Sequence, residues 1–367
     1  MPRVIGIDPG TVSIDLCGID DGRVFLDRSF PTAEALARPS ILIDLLTDAH
    51  AERSIDLVAG PSGYGLPLVN ARDLTDEDLR LAQLTAGGEA SGGIGGLGGL
   101  MRQLAGAPVP VVFTPGVVHL SSVPAHRKIN RIDMGTADKV CAVALGIHER
   151  SRQLGCRERD VSFILLELGG AFTAAIAVEQ GQIVDGAGGS SGPMGLRGAG
   201  SLDGEVAFLC GSVPKGLLFG GGVATVAGTP DADADQLAHP GTSQGRLAWA
   251  AYLESATKAV AALMVSAPGA RDVILSGRVA RIPAARDELT RRLAKMATGT
   301  SVYALAGFAA VAKTAAQGAA LVADGLAGGM TAALVDTLGI RQASGTVLDH
   351  LHVISPAAAR ARLGIPW

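Results

Sequence analysis

The chain has 367 residues, of which 48% are hydrophobic and only 4% aromatic, with 31 basic against 35 acidic side chains. Its length exceeds what one ordinary core needs, and its net charge of -4 argues against a large nucleic-acid footprint, which requires a basic face. The four cysteines lack CxxC spacing and no charged-then-apolar leader opens the sequence, so we expect reduced thiols, no zinc site and a cytoplasmic protein.

Strand patterning recurs in both halves of the chain, and helical spacing lies between the strand segments. In the first half, strands are predicted at residues 3–8, 14–20, 23–29, 54–60 and 109–120. In the second half, they are predicted at residues 161–170, 171–179, 181–189, 272–277 and 300–304. Helices are predicted from about Thr32 and over residues 135–154, 242–266, 284–296 and 309–327. This alternation predicts an α/β fold.

The two halves open in the same way. Residues 3–29 predict a three-strand meander, with the hairpin signal DDGR at its second turn, and residues 161–189 predict another. In each meander the first strand ends in an acidic residue that a glycine-rich turn follows. A period of about half the chain indicates an internal duplication. We therefore predict domains at 1–155 and 156–335, followed by a C-terminal tail at 336–367.

Two segments have an unusual composition. Residues 87–99, GGEASGGIGGLGG, are low in complexity, which is typical of a flexible surface loop; a mobile lid beside a cleft is the alternative. Residues 302–335 are the most apolar stretch, but Lys313, Gln317 and Asp324 interrupt it. This pattern predicts a buried helix rather than a membrane span, and no membrane partner is expected.

Five motifs, in order along the chain, carry a family resemblance. They are IGIDPGTVS (5–13), IDMGTADKVCAVALGI (132–147), LLELGGAFTAAIAV (165–178), VILSGRVARIP (273–283) and AAQGAALVADGLAGG (315–329). In that order they resemble the first phosphate loop, the first connecting helix, the second phosphate loop, the adenosine motif and the second connecting helix of the acetate and sugar kinase, Hsp70 and actin superfamily. Within it, GQIVDGAGGSSGPMG and IDMGTADK are most similar to a family described as predicted butyrate kinases.

This resemblance implies a fold, cofactors and an activity. The implied fold is α/β, with two duplicated RNase H-like domains of the actin-like ATPase type and with ATP and Mg²⁺ in the cleft between them. The implied activity is that of a kinase that converts a small-molecule carboxylate into an acyl phosphate. Acyl kinases of the superfamily are often dimers, so the resemblance also raises a homodimer as the expected partner.

Three alternatives to a carboxylate kinase stay open. One is a nucleotide-binding ATPase or sensor on the same fold, without a small acceptor. Another is a junction nuclease, whose first strand also resembles GIDPGT, although the duplicated glycine loops and the negative charge balance oppose it. The last is an actin-like polymer, for which no assembly segment is evident.

The first phosphate loop supplies four candidate residues. Asp8 ends the first predicted strand, where a carboxylate is able to hold Mg²⁺, usually through water. Gly10 allows the backbone to turn and to present N–H groups to phosphate oxygens, while Thr11 and Ser13 add hydroxyl donors. Asp-Pro-Gly is also favourable turn chemistry by itself, so a plain strand-end turn is the alternative.

The second phosphate loop supplies an equivalent set. Glu167 is expected to hold the metal ion, and Gly169, Gly170 and Thr173 are expected to bind the nucleotide phosphates. In many relatives the acid is an aspartate closer to the glycines. A strand-end acid without a ligand role is therefore the alternative for Glu167.

The adenosine motif places Gly277 and Arg278 after a buried strand and before a helix. A glycine at this position lets adenine approach the backbone, and the Arg278 guanidinium is suited to stacking on the ring. A plain strand-to-helix turn is the alternative.

A carboxylate acceptor needs cationic partners and no base, because it is already ionised at neutral pH, and arginine suits it best. Residues 184–204 resemble the acyl-kinase loop. In that comparison Asp185 matches the leading aspartate, and Arg197 matches the arginine beside the transferred phosphoryl group. A surface arginine is the alternative for Arg197.

Charged residues are also concentrated at 126–139, before the first connecting helix. Asp133 is the candidate for a catalytic or orienting carboxylate, and Arg131 or Lys139 for neutralising the acceptor. An ordinary solvated charge run is the alternative. The segment GPSGYGLP, residues 60–67, follows a strand and either lines the acceptor side or forms a structural turn.

Overall fold

Two β-sheets with packed helices form the protein, and the computed structural model describes residues 1–38, 40–85, 96–296 and 299–365. The strands are β1 (Arg3–Pro9), β2 (Ser13–Asp20), β3 (Arg23–Pro31), β4 (Leu57–Leu66), β5 (Val69–Asn70), β6 (Val111–Pro115), β7 (Phe163–Leu168), β8 (Thr173–Glu179), β9 (Gln182–Ala187), β10 (Asp272–Ser276) and β11 (Ser301–Ala304). The helices are α1 (Thr32–Ala37), α2 (Ser40–Glu52), α3 (Asp76–Gln83), α4 (Leu97–Ala105), α5 (Ala125–Lys128), α6 (Ala137–Leu154), α7 (Gly204–Leu209), α8 (Val223–Val226), α9 (Ala234–Ala238), α10 (Ser243–Met264), α11 (Pro283–Met296), α12 (Thr314–Leu326), α13 (Ala332–Leu338) and α14 (Pro356–Arg362). Among these helices, none has both the length and the apolar composition that a bilayer crossing requires.

The two sheets share one strand order. The first runs β3-β2-β1-β4-β6-β5, and the second runs β9-β8-β7-β10-β11. In each sheet three antiparallel strands form a meander, and the first strand of that meander pairs in parallel with the next strand of the sheet. The predicted duplication of the α/β unit is therefore present in the topology. Strand β5 is an addition to the edge of the first sheet.

Two helices rich in small residues, α6 and α12, pack against each other. Helix α12 lies on β1, whereas α6 contacts both β4 of the first sheet and β7 of the second. Glycines allow the backbones to approach closely, because a Cβ at Gly318 would overlap the carbonyl oxygen of Cys141, and one at Gly6 would overlap that of Ala316. Helix α12 is buried from Thr314 to Gly325, which confirms the buried helix predicted for this apolar stretch.

Side-chain alternation directs the strand ends toward these two helices. In β7, Leu165 belongs to the core that contains α6, whereas Leu166 belongs to a second core on the other face, covered by α10 and α11. By the same alternation, Glu167 lies on the α6 side of β7. Asp8 likewise lies on the Gly6 side of β1, next to α12. Each half therefore turns its strand-end acid toward a helix.

Several predicted elements have different bounds in the structure. The strand predicted at 109–120 is confined to β6 (Val111–Pro115). The helix predicted at 309–327 begins at Thr314, because side chains from other elements bind the N–H groups that precede it. The strand predicted at 54–60 continues to Leu66. The glycine-rich segment 87–99 falls mostly outside the described residues, and its last three residues begin α4 rather than continuing a loop.

The C-terminal tail folds back on the first half of the chain. Arg80 of α3 donates to the carbonyl oxygen of Leu363 at 3.0 Å, and Arg360 of α14 lies 2.8 Å from Glu77. Helix α12 also packs on the first sheet, so the chain returns to its first half after β11. The domain boundaries at 155 and 335 stay predictions.

Candidate active site

A cavity of about 740 Å³ is lined by residues from both sheets. The turns that follow β1 and β7, the end of β10, and the first residues of α6 and α12 all contribute to its wall. Ligands of α/β proteins bind beyond the carboxyl ends of strands, and the amino ends of helices favour anions through the helix dipole. The position of the cavity thus favours an anionic ligand.

The turns after β1 and β7 have the same hydrogen bonding. The Gly10 N–H donates to the carbonyl oxygen of Ser13 at 3.0 Å, and the Gly169 N–H donates to that of Phe172 at 3.0 Å. Each turn thereby leaves two intervening N–H groups without an acceptor among the described residues. These belong to Thr11, Val12, Gly170 and Ala171, which all line the cavity. Each half of the protein therefore offers a pair of backbone donors to an anion.

The second turn lies beside Gly277 and Arg278, which follow β10. A Cβ at Gly170 would lie 3.5 Å from the Val12 side chain and 4.0 Å from the Nε of Arg278, so the two turns and the arginine meet at one point. Gly277 has a φ of +89°, and a Cβ there would overlap the carbonyl oxygen of Leu168. Both the backbone conformation and the close approach therefore require glycine.

Asp8 faces a lysine at the start of α12. The Nζ of Lys313 is 3.6 Å from the Oδ2 of Asp8 and 2.9 Å from the Oδ2 of Asp15, and it donates to the carbonyl oxygen of Ser13 at 2.8 Å. Gly10 leaves space for this ammonium group, since a Cβ there would overlap the Nζ. The Ser13 hydroxyl donates to Asp15 at 2.7 Å, so in this structure it serves the carboxylate cluster.

The second half repeats the acid–lysine arrangement. Glu167 at the end of β7 interacts electrostatically with Lys139, which lies in the first turn of α6. Lys139 donates to Asp138, and Asp138 also accepts from the Thr136 hydroxyl. The Oε2 of Glu167 is buried and has no hydrogen-bond partner among the described residues. In both halves, a strand-end acid thus meets a lysine at the amino end of a buried helix.

The carboxyl groups differ in how well their charges are compensated. Burial raises the pKa of Asp8 to about 6, although the Lys313 charge opposes the shift. Burial also raises the pKa of Glu167, again against the influence of a lysine. For Asp138, burial disfavours the charged form, but the charge and the hydrogen bond of Lys139 outweigh it and lower the pKa. Asp8 and Glu167 therefore carry the charges that the protein itself leaves poorly neutralised.

The cluster fits Mg²⁺ at Asp8 and Glu167. The carboxyl groups of Asp8, Asp15, Asp138 and Glu167 line the cavity together with the ammonium groups of Lys139 and Lys313. Within the part of the chain that the structure describes, no three His, Cys, Asp or Glu side chains are placed to hold a metal ion together. Mg²⁺ usually keeps several waters and takes one or two carboxylates together with phosphates, so it does not need such a set of side chains. The buried, unpartnered Glu167 oxygen is one position for such an ion's shell.

The loop between β11 and α12 forms another wall of the cavity, and side chains hold it by its backbone. Glu149 of α6 accepts the N–H groups of residues 306 and 307, and Gln317 of α12 accepts those of 308 and 309. Asp27 of β3 accepts the next three, at 2.7 to 2.9 Å. Seven consecutive N–H groups of the segment 306–312 are thus bound by three side chains. The backbone of this loop is therefore held by side chains of the protein itself.

The structure does not bring Arg197 to the cavity. Its guanidinium donates to the carbonyl oxygens of Pro230 and Ala232, the latter at 2.7 Å. The backbone rather than the side chain adjoins the second turn, because the Arg197 N–H donates to the carbonyl oxygen of Ala171 at 2.9 Å. The arginine therefore ties its loop to residues 230–232 instead of facing the place where the resemblance puts it.

Asp185 and Thr173 also lie outside the cavity wall. Asp185 accepts from the Ser266 hydroxyl at 2.6 Å, which ties β9 to the end of α10. Thr173 begins β8, where its hydroxyl is buried and lies close to the Tyr252 hydroxyl. Neither side chain is placed to contact a ligand in the cavity.

Asp133 and Arg131 do not line the cavity, and both bind the chain at and after the end of β9. The Oδ2 of Asp133 accepts from the N–H and the hydroxyl of Ser190, both at 2.8 Å. Arg131 donates to the carbonyl oxygen of Gly186 at 3.2 Å. Tyr64, which lines the cavity, is near enough that the Asp133 charge adds to burial in raising the pKa of the tyrosine. Both charged residues thus support the loop after β9 behind Tyr64.

Arg197→Ala is expected to lower the thermal stability of the protein. The substitution removes a charged donor from two carbonyl oxygens, which corresponds to about 1–3 kcal/mol of unfolding free energy. Thermal unfolding followed by circular dichroism measures the loss. Arg152→Ala, at an exposed arginine of α6, is the matched control and is expected to leave the melting temperature unchanged. Equal melting temperatures for the two variants would contradict a structural role for Arg197.

A family described as "Protein of unknown function (DUF1464)" matches residues 6–353. The chain belongs to this family. No curated protein is a significant match to the sequence. Among solved structures, a propionate kinase from Francisella tularensis subsp. tularensis SCHU S4 is similar with a TM-score of 0.62 at 14% identity, over 87% of this chain and 99% of that chain.

Two acetate kinases are also similar in structure. The enzyme from Entamoeba histolytica has a TM-score of 0.57 at 12% identity, over 80% of this chain and 86% of that chain. The enzyme from Porphyromonas gingivalis has a TM-score of 0.56 at 15% identity, over 79% of this chain and 86% of that chain. The DUF1464 chain thus has the fold of acetate and propionate kinases, as the resemblance implies.

Several residues that line the cavity of the DUF1464 chain are not predicted as site residues from the sequence. They are Asp15, Ser276, Lys215, Lys313 and Thr314. One signal was available, because Lys313 is an isolated charge in an apolar stretch of small residues, where a buried lysine needs a partner. Tyr64 falls within the segment 60–67 that the sequence singles out, and the structure places it on the cavity wall.

Proposed function

We propose that the chain is an ATP- and Mg²⁺-dependent phosphotransferase that converts a small carboxylate, in the manner of a butyrate kinase, into an acyl phosphate. One observation carries the proposal. Two equivalent turns, one from each half, place backbone N–H groups that have no acceptor among the described residues in the wall of one cavity. The same cavity holds two strand-end acids, each beside a lysine. Phosphoryl transfer depends on such positioning and charge neutralisation, and it needs little covalent chemistry from the protein.

The proposed roles follow the geometry. The N–H groups of the two turns, with the Thr11 hydroxyl, bind phosphate oxygens of ATP. Asp8 and Glu167 hold Mg²⁺, which supplies neutralisation of phosphate charge when bound. Gly277 and Arg278, with the loop 306–312 beside them, bind the adenosine. In this arrangement ATP lies in the cleft between the two predicted domains.

The reaction balances without a general base. An oxygen of the acceptor carboxylate attacks the γ-phosphorus of ATP and forms the new oxygen–phosphorus bond. The bond between that phosphorus and the bridging oxygen of the β-phosphate breaks, and its electron pair leaves on ADP. No proton moves, because the acceptor is ionised at neutral pH. Lys139 and Lys313 stabilise the charge that spreads over the transferred group.

An ATPase or sensor without a small acceptor is the second candidate. The position of Arg197 favours it, because that side chain binds carbonyl oxygens rather than facing the cavity. Under this alternative, ATP is hydrolysed or held at the same turns, and added carboxylic acids have no effect on turnover. The proposed homodimer and the cytoplasmic location are compatible with either candidate.

The deciding experiment measures ATP consumption with Mg²⁺, with and without a panel of short carboxylates, in the presence of hydroxylamine. Hydroxylamine converts an acyl phosphate into a hydroxamate, which is detected directly. Hydroxamate that forms with one acid, and that requires ATP, supports the kinase. ATP hydrolysis that no acid changes supports the ATPase. No consumption under any condition contradicts both the kinase and the ATPase, and leaves a sensor that binds ATP without turnover.

Asp27→Ala is expected to weaken ATP binding while leaving the chemical step largely intact. The variant removes the acceptor of three N–H groups from the loop 306–312, which must then be reordered when adenosine binds. We expect the KM for ATP to rise about three- to tenfold with kcat within about twofold. Asp44→Ala, at an exposed aspartate of α2, is the control. A KM that both variants leave unchanged would contradict the role of the loop.

A further inference from the structure

Two consecutive residues at the start of α12 contact different sheets. The Nζ of Lys313 lies 2.9 Å from the Oδ2 of Asp15 and donates to the carbonyl oxygen of Ser13, so this side chain holds the turn after β1. The hydroxyl oxygens of Thr314 and Ser276 are 2.9 Å apart and form a hydrogen bond at the end of β10. Lys313 and Thr314 therefore connect a turn of the first sheet to a strand end of the second.

Ser276 also adjoins the acid at the end of β7. In the parallel pairing of β7 and β10, Ser276 lies opposite Glu167, so both side chains are on the same face of the sheet. The serine hydroxyl is close enough to the carboxyl group to oppose the rise in the pKa of Glu167. A continuous run of side chains thus leads from Thr314 through Ser276 to Glu167.

The hydrogen bond between the two hydroxyl groups is buried beside the cavity. Ser276 is 2% exposed and Thr314 is 9% exposed, and both line the cavity. A buried hydroxyl that loses its partner is left without a hydrogen bond, so separating β10 from the start of α12 is unfavourable. Helix α12 itself packs on β1, β2 and β4 of the first sheet. The bond therefore ties a helix of the first sheet directly to the second sheet.

We propose that Ser276 and Thr314 are positioning residues: their hydrogen bond, next to Lys313, sets the separation of the turns after β1 and β7, so that both turns bind the phosphates of one nucleotide. This inference rests on the proposed function and adds two residues that act through the turns. Phosphoryl transfer depends on holding the reacting groups in one geometry. Without the bond each turn keeps its own structure, but the two turns no longer bind the phosphates together.

Thr314→Val removes the hydroxyl group and keeps the shape of the side chain. We expect kcat for ATP turnover to fall about tenfold, with the KM for ATP within about threefold of the wild-type value, because the adenosine site and one turn still bind the nucleotide. Thr314→Ser keeps a hydroxyl group and is expected to restore kcat to within about twofold of wild type. Thr257→Val is the matched control, because the Thr257 hydroxyl bonds within α10, outside the cavity wall.

Ser276→Ala removes the same hydrogen bond from the other side. The double variant Ser276→Ala, Thr314→Val is expected to lose no more kcat than either single variant, because one bond is lost only once. Direct contact of each side chain with ATP is the competing explanation, since both residues line the cavity. Independent contacts would raise the KM for ATP in each single variant, with effects that multiply in the double variant. That result, or wild-type kcat in both single variants, would overturn the positioning role.

Hydrogen exchange tests the positioning without turnover. On the full chain, a non-hydrolysable ATP analogue with Mg²⁺ is expected to slow amide exchange in wild-type peptides that contain the turns 10–13 and 169–172. In Thr314→Val we expect the analogue to protect 169–172, which adjoins Arg278, but no longer 10–13. Protection of both turns in this variant would overturn the inference and keep the nucleotide site.

The same measurement separates failure of this inference from failure of the proposed function. Protection of 10–13 that Thr314→Val abolishes, together with no hydroxamate from any acid in the wild-type protein, would keep the positioning role and overturn the kinase. Hydroxamate formation with equal kcat in wild type and Thr314→Val would keep the kinase and overturn the positioning role. Exchange that the analogue leaves unchanged at both turns of the wild-type protein would overturn both.

Discussion

Asp8→Asn is expected to slow ATP turnover by a factor of about one hundred to one thousand while the protein stays folded. Asparagine preserves the shape of the side chain but removes the charge that we assign to holding Mg²⁺. Burial disfavours the charged form of Asp8, and the nearby Lys313 charge offsets only part of this effect. The Asp8 charge therefore does not stabilise the fold, and we assign it to attracting Mg²⁺. Steady-state kinetics with saturating ATP and Mg²⁺ measure the loss.

The same substitution is expected to stabilise the protein at neutral pH. The pKa of Asp8 rises from its ordinary value of 3.8 to about 6 on folding. Between these values the folded protein keeps a proton that the unfolded chain has released, so the free energy of unfolding falls as the pH rises through this window. Above about pH 6, the buried charge of Asp8 lowers the free energy of unfolding by at most about 3 kcal/mol. Asp8→Asn avoids this cost, and its gain in melting temperature is expected to shrink as the pH approaches 4.

Asp20→Asn is the matched control for both measurements. Asp20 also ends a strand of the first sheet, but it pairs with Arg53 and lies outside the cavity wall. We expect this variant to keep wild-type turnover and to gain no stability at neutral pH. Wild-type turnover in Asp8→Asn, or an equal loss of turnover in both variants, would contradict the role of Asp8 in the reaction.

Gly318→Ala is expected to destabilise the protein by about 2–4 kcal/mol. The added methyl group meets the backbone carbonyl of Cys141 rather than a flexible side chain, so α6 and α12 must separate to accommodate it. Because α6 carries Lys139 and α12 follows Lys313, separation also displaces the two lysines of the site. Urea denaturation measures the loss of stability, and turnover of the folded fraction is expected to fall as well.

Gly99→Ala distinguishes crowding from a general effect of glycine replacement. Gly99 also lies within a helix, but apart from its chain neighbours and the backbone of its own helix, no described atom is within 4 Å of a Cβ at this position. Alanine there is expected to stabilise the chain by about 0.5–1 kcal/mol, through the lower entropy of the unfolded state. Similar destabilisation by both substitutions would show that the contact between α6 and α12 is not the cause.

Local signals predict the strand meanders and their terminal acids. Alternation, the DDGR turn and the glycine turns after Asp8 and Glu167 all act within a few residues, so they specify the same structure in isolation and in the folded chain. The residues that contact those acids are not predicted by local signals. Lys313 reaches Asp8 only because Gly6 lets α12 pack on β1, and no pattern within a short window contains that contact.

Loop residues illustrate the same limit. Arg197 stands at a position that resembles an acyl-kinase arginine, yet the bonds of its own backbone to the second turn leave its side chain pointing to residues 230–232. Lys215 has no motif around it and reaches Tyr64 only through the path of a long loop. The sequence therefore predicts the two glycine turns of the cavity wall better than it predicts the loop residues that complete the wall.

The hydrogen bonds that hold the loop 306–312 determine which substitutions this wall of the cavity tolerates. Its shape is specified by Asp27, Glu149 and Gln317 through backbone N–H groups, which every residue except proline possesses. The side chains of Ala309, Ala310 and Val311, which line the cavity, are consequently able to change what the wall recognises. Gly307 and Ala312 are not, because a Cβ at Gly307 would overlap Gln317 and Ala312 is buried. A motif search confined to this loop therefore misses the side chains that hold it, because Asp27 and Glu149 lie far away in the sequence and Gln317 lies in the helix that follows.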